Sequence, residues 1–261
     1  MKLIKYIACV GLLVGPQVLS QTARDTSSYL KRATVSENAG TTRIVANSPR
    51  PLVEVLDALR EKYGWVVDYE DPQFISKLDL IETGGPGNSA ANSNLPPRIP
   101  AGGPFSVEFP ATAPDEEKVL QLVVDAYNRT DNPGRFELRK SKQGVFIVVG
   151  AQARDARGQI AHQRVLFDVP LTLASSKRSM GETVNLLCQK IRAGGGVAVT
   201  VGVSPRSLMV GTQVTVGGTK VSARDLLLQT LTSTGRNLYW RLLFDPQSKG
   251  YYLDLHLIQG S

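Results

Sequence analysis

The stretch Ser48-Pro-Arg-Pro-Leu-Val-Glu-Val-Leu-Asp-Ala-Leu59, continued by Gly64-Trp-Val-Val-Asp-Tyr69, decides most of the fold. Its first part has apolar residues at the i, i+3, i+4 and i+7 spacing of one buried helix face. The prolines at its start are tolerated there because the first amides of a helix have no partner within it. Gly64 is typical of a helix end, and the Val and aromatic residues after it predict a strand.

The order of elements continues with a strand at Phe105–Phe109, a helix beginning at Asp115, and a hairpin over residues 136–149. Asp115 is followed by two glutamates, and we interpret these acids as charges at a helix N-terminus, where the helix dipole favours carboxylates. The first half therefore predicts strand, helix, strand, then strand, helix and hairpin.

The second half predicts the same order from different residues. A strand is predicted at Val165–Val169, followed by a helix that Ser179 and Glu182 begin as a capping box. Strands at 197–201 and 213–216, a helix capped by Ser222, and a hairpin over 238–257 complete the copy. The spacing between second helix and hairpin is nearly the same in both halves.

We therefore predict an α+β fold of two similar modules, each with two helices packed on small mixed sheets. The first module covers residues 42–150 and carries a Gly/Pro-rich insertion at 84–104, which we predict to be a long loop without helix or strand. Residues 151–163 are predicted to be a linker, and residues 164–261 form the second module.

The N-terminal segment is typical of an exported protein. Residues 1–20 combine a basic start, a short apolar run and small residues for cleavage, which predicts a secretory signal peptide. Residues 21–41 are polar and predicted to be a flexible leader. We expect a periplasmic or secreted protein in which Cys188 remains as a lone cysteine on a buried helix face, without an intrachain disulfide.

Motifs for catalysis, cofactors and metals are lacking in the sequence. It contains no nucleophile elbow, no phosphate-binding loop and no zinc helix, and two histidines exclude a His-rich metal site. We assign no catalytic, cofactor-binding or metal-binding residue. The alternative is a small secreted hydrolase that uses Asp68, Glu70 or His256. Asp68, Glu70 and Asp71 precede Pro72, and we favour their interpretation as turn-forming residues.

The formal charge is +7, and removal of the signal peptide leaves a mildly basic chain. Basic residues are scattered and no base-stacking motif accompanies them, so we expect no nucleic-acid partner. Weak contact with anionic envelope polymers or lipid headgroups is the second alternative function.

Two phrases resemble the short N-terminal domain shared by bacterial secretins and TonB-dependent receptors. They are the stretch quoted at the outset and Val221-Ser-Ala-Arg-Asp-Leu-Leu-Leu-Gln-Thr-Leu231, which leads to Gly235. The resemblance implies contact with other envelope proteins without catalysis. No secretin or barrel body follows in this sequence, so we expect a stand-alone, non-catalytic adaptor or scaffold. We expect a strand such as Tyr251–Leu257 to accept a partner strand at a sheet edge. The partner, the pathway and the oligomeric state stay open.

Overall fold

A computed structural model describes residues 32–83 and 96–258. The predicted signal peptide at 1–20, the leader up to residue 31 and residues 84–95 of the predicted insertion lie outside the described residues. Among the residues described, no helix is both long and apolar enough to cross a membrane.

In the described part of the first half, eight strands and two α-helices follow one another from residue 34 to residue 154. In chain order they are β1 (Thr34–Asn38), β2 (Thr41–Asn47), α1 (Pro51–Tyr63), β3 (Val67–Glu70), β4 (Leu80–Glu82), β5 (Arg98–Pro100), β6 (Pro104–Pro110), α2 (Glu116–Asn128), β7 (Arg135–Lys140) and β8 (Phe146–Arg154).

The second half contains the remaining strands and helices of the described chain. They are β9 (Ile160–His162), β10 (Pro170–Ser179), α3 (Met180–Gly195), β11 (Val199–Val201), α4 (Arg206–Gly211), β12 (Gln213–Ser222), α5 (Ala223–Thr232), β13 (Leu238–Asp245) and β14 (Gly250–Leu257). The chain therefore has an α+β fold, as predicted.

The strand pairings of the first half recur in the second half. In the first, β2 pairs with β6 antiparallel, β3 with β8 parallel, and β7 with β8 antiparallel. In the second, β10 pairs with β12 antiparallel, β11 with β14 parallel, and β13 with β14 antiparallel. The repetition is thus one of topology as well as of element order.

A single central sheet joins the two halves. Its strand order is β11-β14-β13-β3-β8-β7, with β9 paired to β8. The connection is made by β3 and β13, which run parallel and place Tyr69 opposite Arg241 and Glu70 opposite Leu242. Smaller sheets of β1-β2-β6, β10-β12 and β4-β5 complete the fold.

Two hydrophobic cores lie on opposite faces of the central sheet. Tyr69 and Val148 pack in the first core together with residues of α1 and α2. Ile147, Trp240 and Leu242 pack in the second core with residues of α3 and α5. Because successive strand residues point to opposite faces, neighbours such as Ile147 and Val148 contribute to different cores.

The helix boundaries confirm several residue-level predictions. Gly64 ends α1 in the left-handed conformation, with φ of 74°. The side chain of Ser179 accepts a hydrogen bond from the amide of Glu182, whose carboxylate accepts one from Ser179 in return. Ser222 caps α5 through the amide of Asp225. Cys188 is buried, and burial raises the pKa of its thiol to about 12.

Three segments predicted to be irregular contain strands. The end of the leader 21–41 forms β1, which is exposed along its whole length and pairs with β2. The end of the insertion 84–104 forms β5, which pairs with β4. The linker 151–163 contains the end of β8 and all of β9, which form a hairpin. These strands have few buried apolar residues, so their pattern does not distinguish them from loops.

The predicted strand at Val165–Val169 is wrong. Leu166–Asp168 forms a 3-10 helix, and β10 begins only at Pro170. The amides of Leu166 and Phe167 donate to the Glu70 carboxylate, so they are not available to a neighbouring strand.

Candidate functional site

One face of the hairpin β13–β14 is covered only in part. Three cross-strand pairs lie on this face: Tyr239 with His256, Arg241 with Asp254, and Leu243 with Tyr252. Helix α1 stands beside Tyr239 and Arg241, the segment Arg98–Pro100 stands beside Leu243 and Tyr252, and the segment 202–205 lies across from them. We call the resulting depression the sheet groove.

The wall formed by α1 is attached to the floor of the sheet groove by charged groups. Asp57 forms ion pairs with Arg241 and with Arg60, the latter at 2.6 Å between Nη1 and Oδ1. The guanidinium of Arg60 lies 4.3 Å from the ring centroid of Tyr239, a cation–π contact. These contacts fix the α1 wall over β13.

His256 occupies the end of the sheet groove that lies near the C-terminus of α1. Its ring stacks on Tyr239 with centroids 4.8 Å apart. Burial lowers the pKa of His256, and the nearby Arg241 lowers it further. Asp254, on the same face, accepts a hydrogen bond from the amide of Val203 at 2.7 Å. The cavity at this end has a volume of 820 Å³.

The opposite end of the sheet groove is mainly apolar. A cavity of 440 Å³ is lined there by Tyr252, Val203, Leu243 and the segment Arg98–Pro100, among others. Tyr252 is 43% exposed and Val203 is 60% exposed, although both are large and hydrophobic. Exposed apolar side chains gathered in a concave site are typical of surfaces that bind other molecules.

Asp71 is not a turn-forming residue, and the prediction for the acidic cluster is wrong. It is 1% exposed, and its carboxylate accepts hydrogen bonds from Tyr69 Oη at 2.7 Å, Arg50 Nε at 2.8 Å and the amide of Phe244 at 2.9 Å. Since Phe244 belongs to β13, Asp71 holds the two halves of the chain together.

Glu70 is buried in the second core and also joins the two halves. Its carboxylate accepts from the amides of Leu166 at 2.5 Å and Phe167 at 3.2 Å, and pairs with Arg224 of α5 at 3.3 Å. Burial raises the pKa of Glu70 to about 7, while Arg224 and the two amides oppose this rise. Arg224 also pairs with Asp168 at 2.6 Å.

Asp68 accepts a hydrogen bond from the amide of Trp240 at 3.0 Å and is 1% exposed. Burial raises the pKa of its carboxyl to about 8. The backbone amide of Trp240 and the positive charge of Arg224 reduce this rise without cancelling it.

The three residues of the hydrolase alternative do not share a site. Tyr69, Arg241 and Tyr239 share one face of the sheet, and Tyr239 stands opposite His256 on that face. Side chains alternate along a strand, so Asp68 and Glu70 point to the other face. The sheet thus separates His256 from both carboxylates. Within the described part of the chain, no group of three or more His, Cys, Asp and Glu residues could hold a metal ion.

The predicted edge strand Tyr251–Leu257 is not at an edge. It lies within β14, which pairs with β13 on one side and with β11 on the other. The ends of the main strand path are instead β7 and β11. The sequence did not predict β11 as an edge strand. It pairs with residues of β14 about 50 positions further along the chain, and no local pattern shows that pairing.

We expect the Asp68→Asn variant to have a flatter dependence of stability on pH. The folded pKa of Asp68 lies above its ordinary value, so ionisation opposes folding, and stability falls as the pH rises from about 4 towards 8. In this window one proton accounts for about 1.4 kcal/mol per pH unit. Urea unfolding of both proteins at pH 5, 6, 7 and 8 measures the difference. Equal slopes in the two proteins would contradict the expectation.

Of the sheet groove, the sequence predicted only that Asp254 and His256 lie on the same face of β14. The sequence Leu-Tyr-Trp-Arg-Leu-Leu-Phe at 238–244 alternates only weakly, because Tyr239 and Leu243 are themselves apolar. An arginine in the middle of this apolar run was the one available signal that this face of the strand is partly open.

Comparisons of the chain with protein-family models, with curated proteins and with solved structures found no match.

Proposed function

We propose that this chain is a non-catalytic adaptor or scaffold of the bacterial cell envelope, and that it binds an envelope protein in the sheet groove. The observation that carries the proposal is the groove itself, a concave surface with an apolar end, a central charged pair and an aromatic end. This arrangement suits a protein segment. Apolar side chains of the groove would be buried against the segment, and charged pairs would fix the position of the segment along the groove.

The acidic residues support the non-catalytic part of the proposal, because each of them is engaged in a structural contact. Asp68, Glu70 and Asp71 have structural partners that connect the two halves of the chain. The resemblance to the N-terminal domain of secretins and TonB-dependent receptors adds the expectation of an exported protein with envelope partners.

A photo-crosslinking residue in place of Tyr252, expressed in the native cells, tests the proposal. We expect a discrete adduct with one protein, because Tyr252 lies in the apolar end of the groove and is partly exposed. The same residue in place of Val210, which is 72% exposed on α4, is the control and is expected to give no such adduct.

A matched pair of variants then tests whether the groove binds this protein. Val203→Asp places a charge in the apolar end and is expected to weaken the complex at least tenfold, whereas Val210→Asp is expected to leave it unchanged. Adducts of equal yield from both crosslinking positions, or equal affinities of the two Asp variants, would contradict the proposal.

Contact with anionic polymers or lipid headgroups stays a prediction. Residues 164–261 contain 11 Lys and Arg against 5 Asp and Glu, so the second half is the more basic one. A weak electrostatic attraction of this kind is compatible with an adaptor at the envelope.

A further inference from the structure

The two halves of the chain are joined through one strand of each half, and matched rows of residues show which strands correspond. Each row crosses three strands, and its middle residue is buried in the core of its own half. The row of the first half is Tyr69, Val148 and Leu138 on β3, β8 and β7, and that of the second half is Val201, Leu253 and Leu242 on β11, β14 and β13. In these rows β3 corresponds to β11, and β7 corresponds to β13.

The strands that correspond to the joined pair lie at the two ends of the central sheet. β3 and β13 pair in its middle, whereas β11 and β7 end the main strand path. Their burial differs accordingly: Tyr69 is 2% exposed and Leu242 0%, but Val201 and Leu138 are half-buried. One end of the sheet is therefore equivalent to β3, and the other end is equivalent to its partner β13.

The outer edge of β11 carries backbone groups that are directed away from its neighbour β14. The amide of Gly202 donates to the carbonyl of Leu253 at 2.9 Å, and the carbonyl of Ala198 accepts from the amide of Tyr251 at 2.8 Å. Backbone groups alternate in direction from one strand residue to the next, so the N–H and C=O of Val201 point to the open edge.

The outer edge of β7 has the same property. The amide of Phe136 donates to Asn128 Oδ1 at 2.9 Å, and its carbonyl accepts from Asn128 Nδ2 at 2.8 Å, so both groups face away from β8. By the same alternation, the N–H and C=O of Leu138 face this edge. In the join between the halves, the corresponding residue Leu242 uses its carbonyl to accept from the amide of Asp71 at 2.8 Å.

The helices next to β3 and β11 end in the same way. Gly64 ends α1 by donating to the carbonyl of Arg60, and Gly196 ends α3 by donating to the carbonyl of Arg192. Arg192 therefore corresponds to Arg60, whose guanidinium lies over Tyr239 of β13. A second half placed beside β7 in the same geometry brings Arg192 over β7.

Strand β7 has a charge of opposite sign at this place. Glu137 corresponds to Arg241, because each directly precedes the leucine of its row. Within the chain, Arg241 pairs with Asp57 of α1. Between two copies the signs are exchanged, since an arginine of α3 meets a glutamate of β7. Both Arg192 and Glu137 are exposed, and Glu137 pairs with Arg139 of its own strand at 2.8 Å.

We propose that the chain assembles head to tail, with β7 of one copy paired to β11 of the next in the parallel arrangement of β13 and β3. The register of the join places Glu137 opposite Val201 of the second copy and Leu138 opposite Gly202. Arg192 of the second copy pairs with Glu137. Each added copy leaves one β7 and one β11 free, so the contact is heterologous and further copies can follow. This assembly is independent of binding in the sheet groove.

Charge reversal on each side tests the contact. In sedimentation velocity we expect the mass of the full chain to rise with concentration beyond that of two copies. Glu137→Lys and Arg192→Glu are each expected to weaken association at least tenfold, because like charges then meet. An equimolar mixture of the two variants should regain association, since the altered strand of one meets the altered helix of the other.

Glu108→Lys is the matched control. It makes the same change of charge on β6, at the edge of a smaller sheet, where Glu108 is 59% exposed. We expect it to associate like the unaltered chain. An unaltered chain that stays monomeric, equal effects of Glu108→Lys and Glu137→Lys, or a mixture that stays dissociated would overturn the proposal.

Cysteine crosslinking tests the register. A chain with both Glu137→Cys and Val201→Cys should form a ladder of covalent oligomers with a short bismaleimide. Within one chain these positions lie five strand spacings apart, about 24 Å, which the reagent does not span. The buried Cys188 is present in every variant. The pair Glu108→Cys with Val201→Cys is expected to give no ladder, and equal results for the two pairs would contradict the proposed register.

Discussion

Replacing Arg224 by methionine is expected to lower the free energy of unfolding at pH 9, where Glu70 is ionised, by about 3 kcal/mol, the lower end of the cost of removing one partner of a buried ion pair. Arg224 reaches from α5 to Glu70 on β3 and to Asp168 beside it, and its side chain is only 10% exposed. Methionine fills much of the same volume and retains the packing of the aliphatic stem. The loss therefore measures the uncompensated charge of Glu70.

The double variant Arg224→Met with Glu70→Gln is the companion measurement. Glutamine retains an oxygen that can accept from the amides of Leu166 and Phe167, and it has no charge to compensate. We expect the double variant to recover most of the stability that Arg224→Met loses. Arg43→Met, which breaks the exposed pair with Glu108, should change stability by no more than about 1 kcal/mol. Urea unfolding at pH 9 measures all four proteins, and equal losses for Arg224 and Arg43 would contradict the role assigned to Glu70.

Asp71→Ala is expected to be the second large loss, at about 3 kcal/mol or more. It removes one acceptor from three donors at once: the Tyr69 hydroxyl, the Arg50 guanidinium and the amide of Phe244. Arg50 also donates to the carbonyl of Phe244, so the change affects both backbone groups of that residue. The cost arises because these donors are left in a site that water does not reach freely.

Glu82→Ala is a matched control for this variant. It also removes a carboxylate from an arginine, Arg98, but Glu82 is 56% exposed and water replaces the lost contact. We expect a change below about 1 kcal/mol. Thermal unfolding of the two variants beside the unaltered chain gives the comparison, and a small effect of Asp71→Ala would mean that the β3–β13 contact does not depend on this carboxylate.

The elements that depend on local chemistry could be predicted from the sequence. The apolar stripe of α1, its glycine end and the capping box of α3 each lie within a few consecutive residues, and helix geometry alone brings them together. The α+β class follows from the order of such elements. The alternation of Asp254 and His256 with the leucines of β14 likewise indicated that both lie on its wetter face.

The acidic cluster could not be predicted, because its partners are distant in sequence. Glu70 meets Leu166 across 96 residues and Arg224 across 154, and Asp71 meets Phe244 across 173. Acids next to a proline suggest a turn when only a short window is visible. The position of β14 inside the sheet depends on β11, another contact that no local pattern contains.

The parallel pairing of β3 with β13 makes the two halves unequal although their topology is the same. In β8, the outward residues Ile147 and Val149 are buried because the second half covers them. Their counterparts in β14 are Tyr252 and Asp254, which remain in an open groove. A repeated topology joined through one sheet thus gives an inner half, whose outward face is buried and apolar, and an outer half, whose equivalent face stays open to solvent.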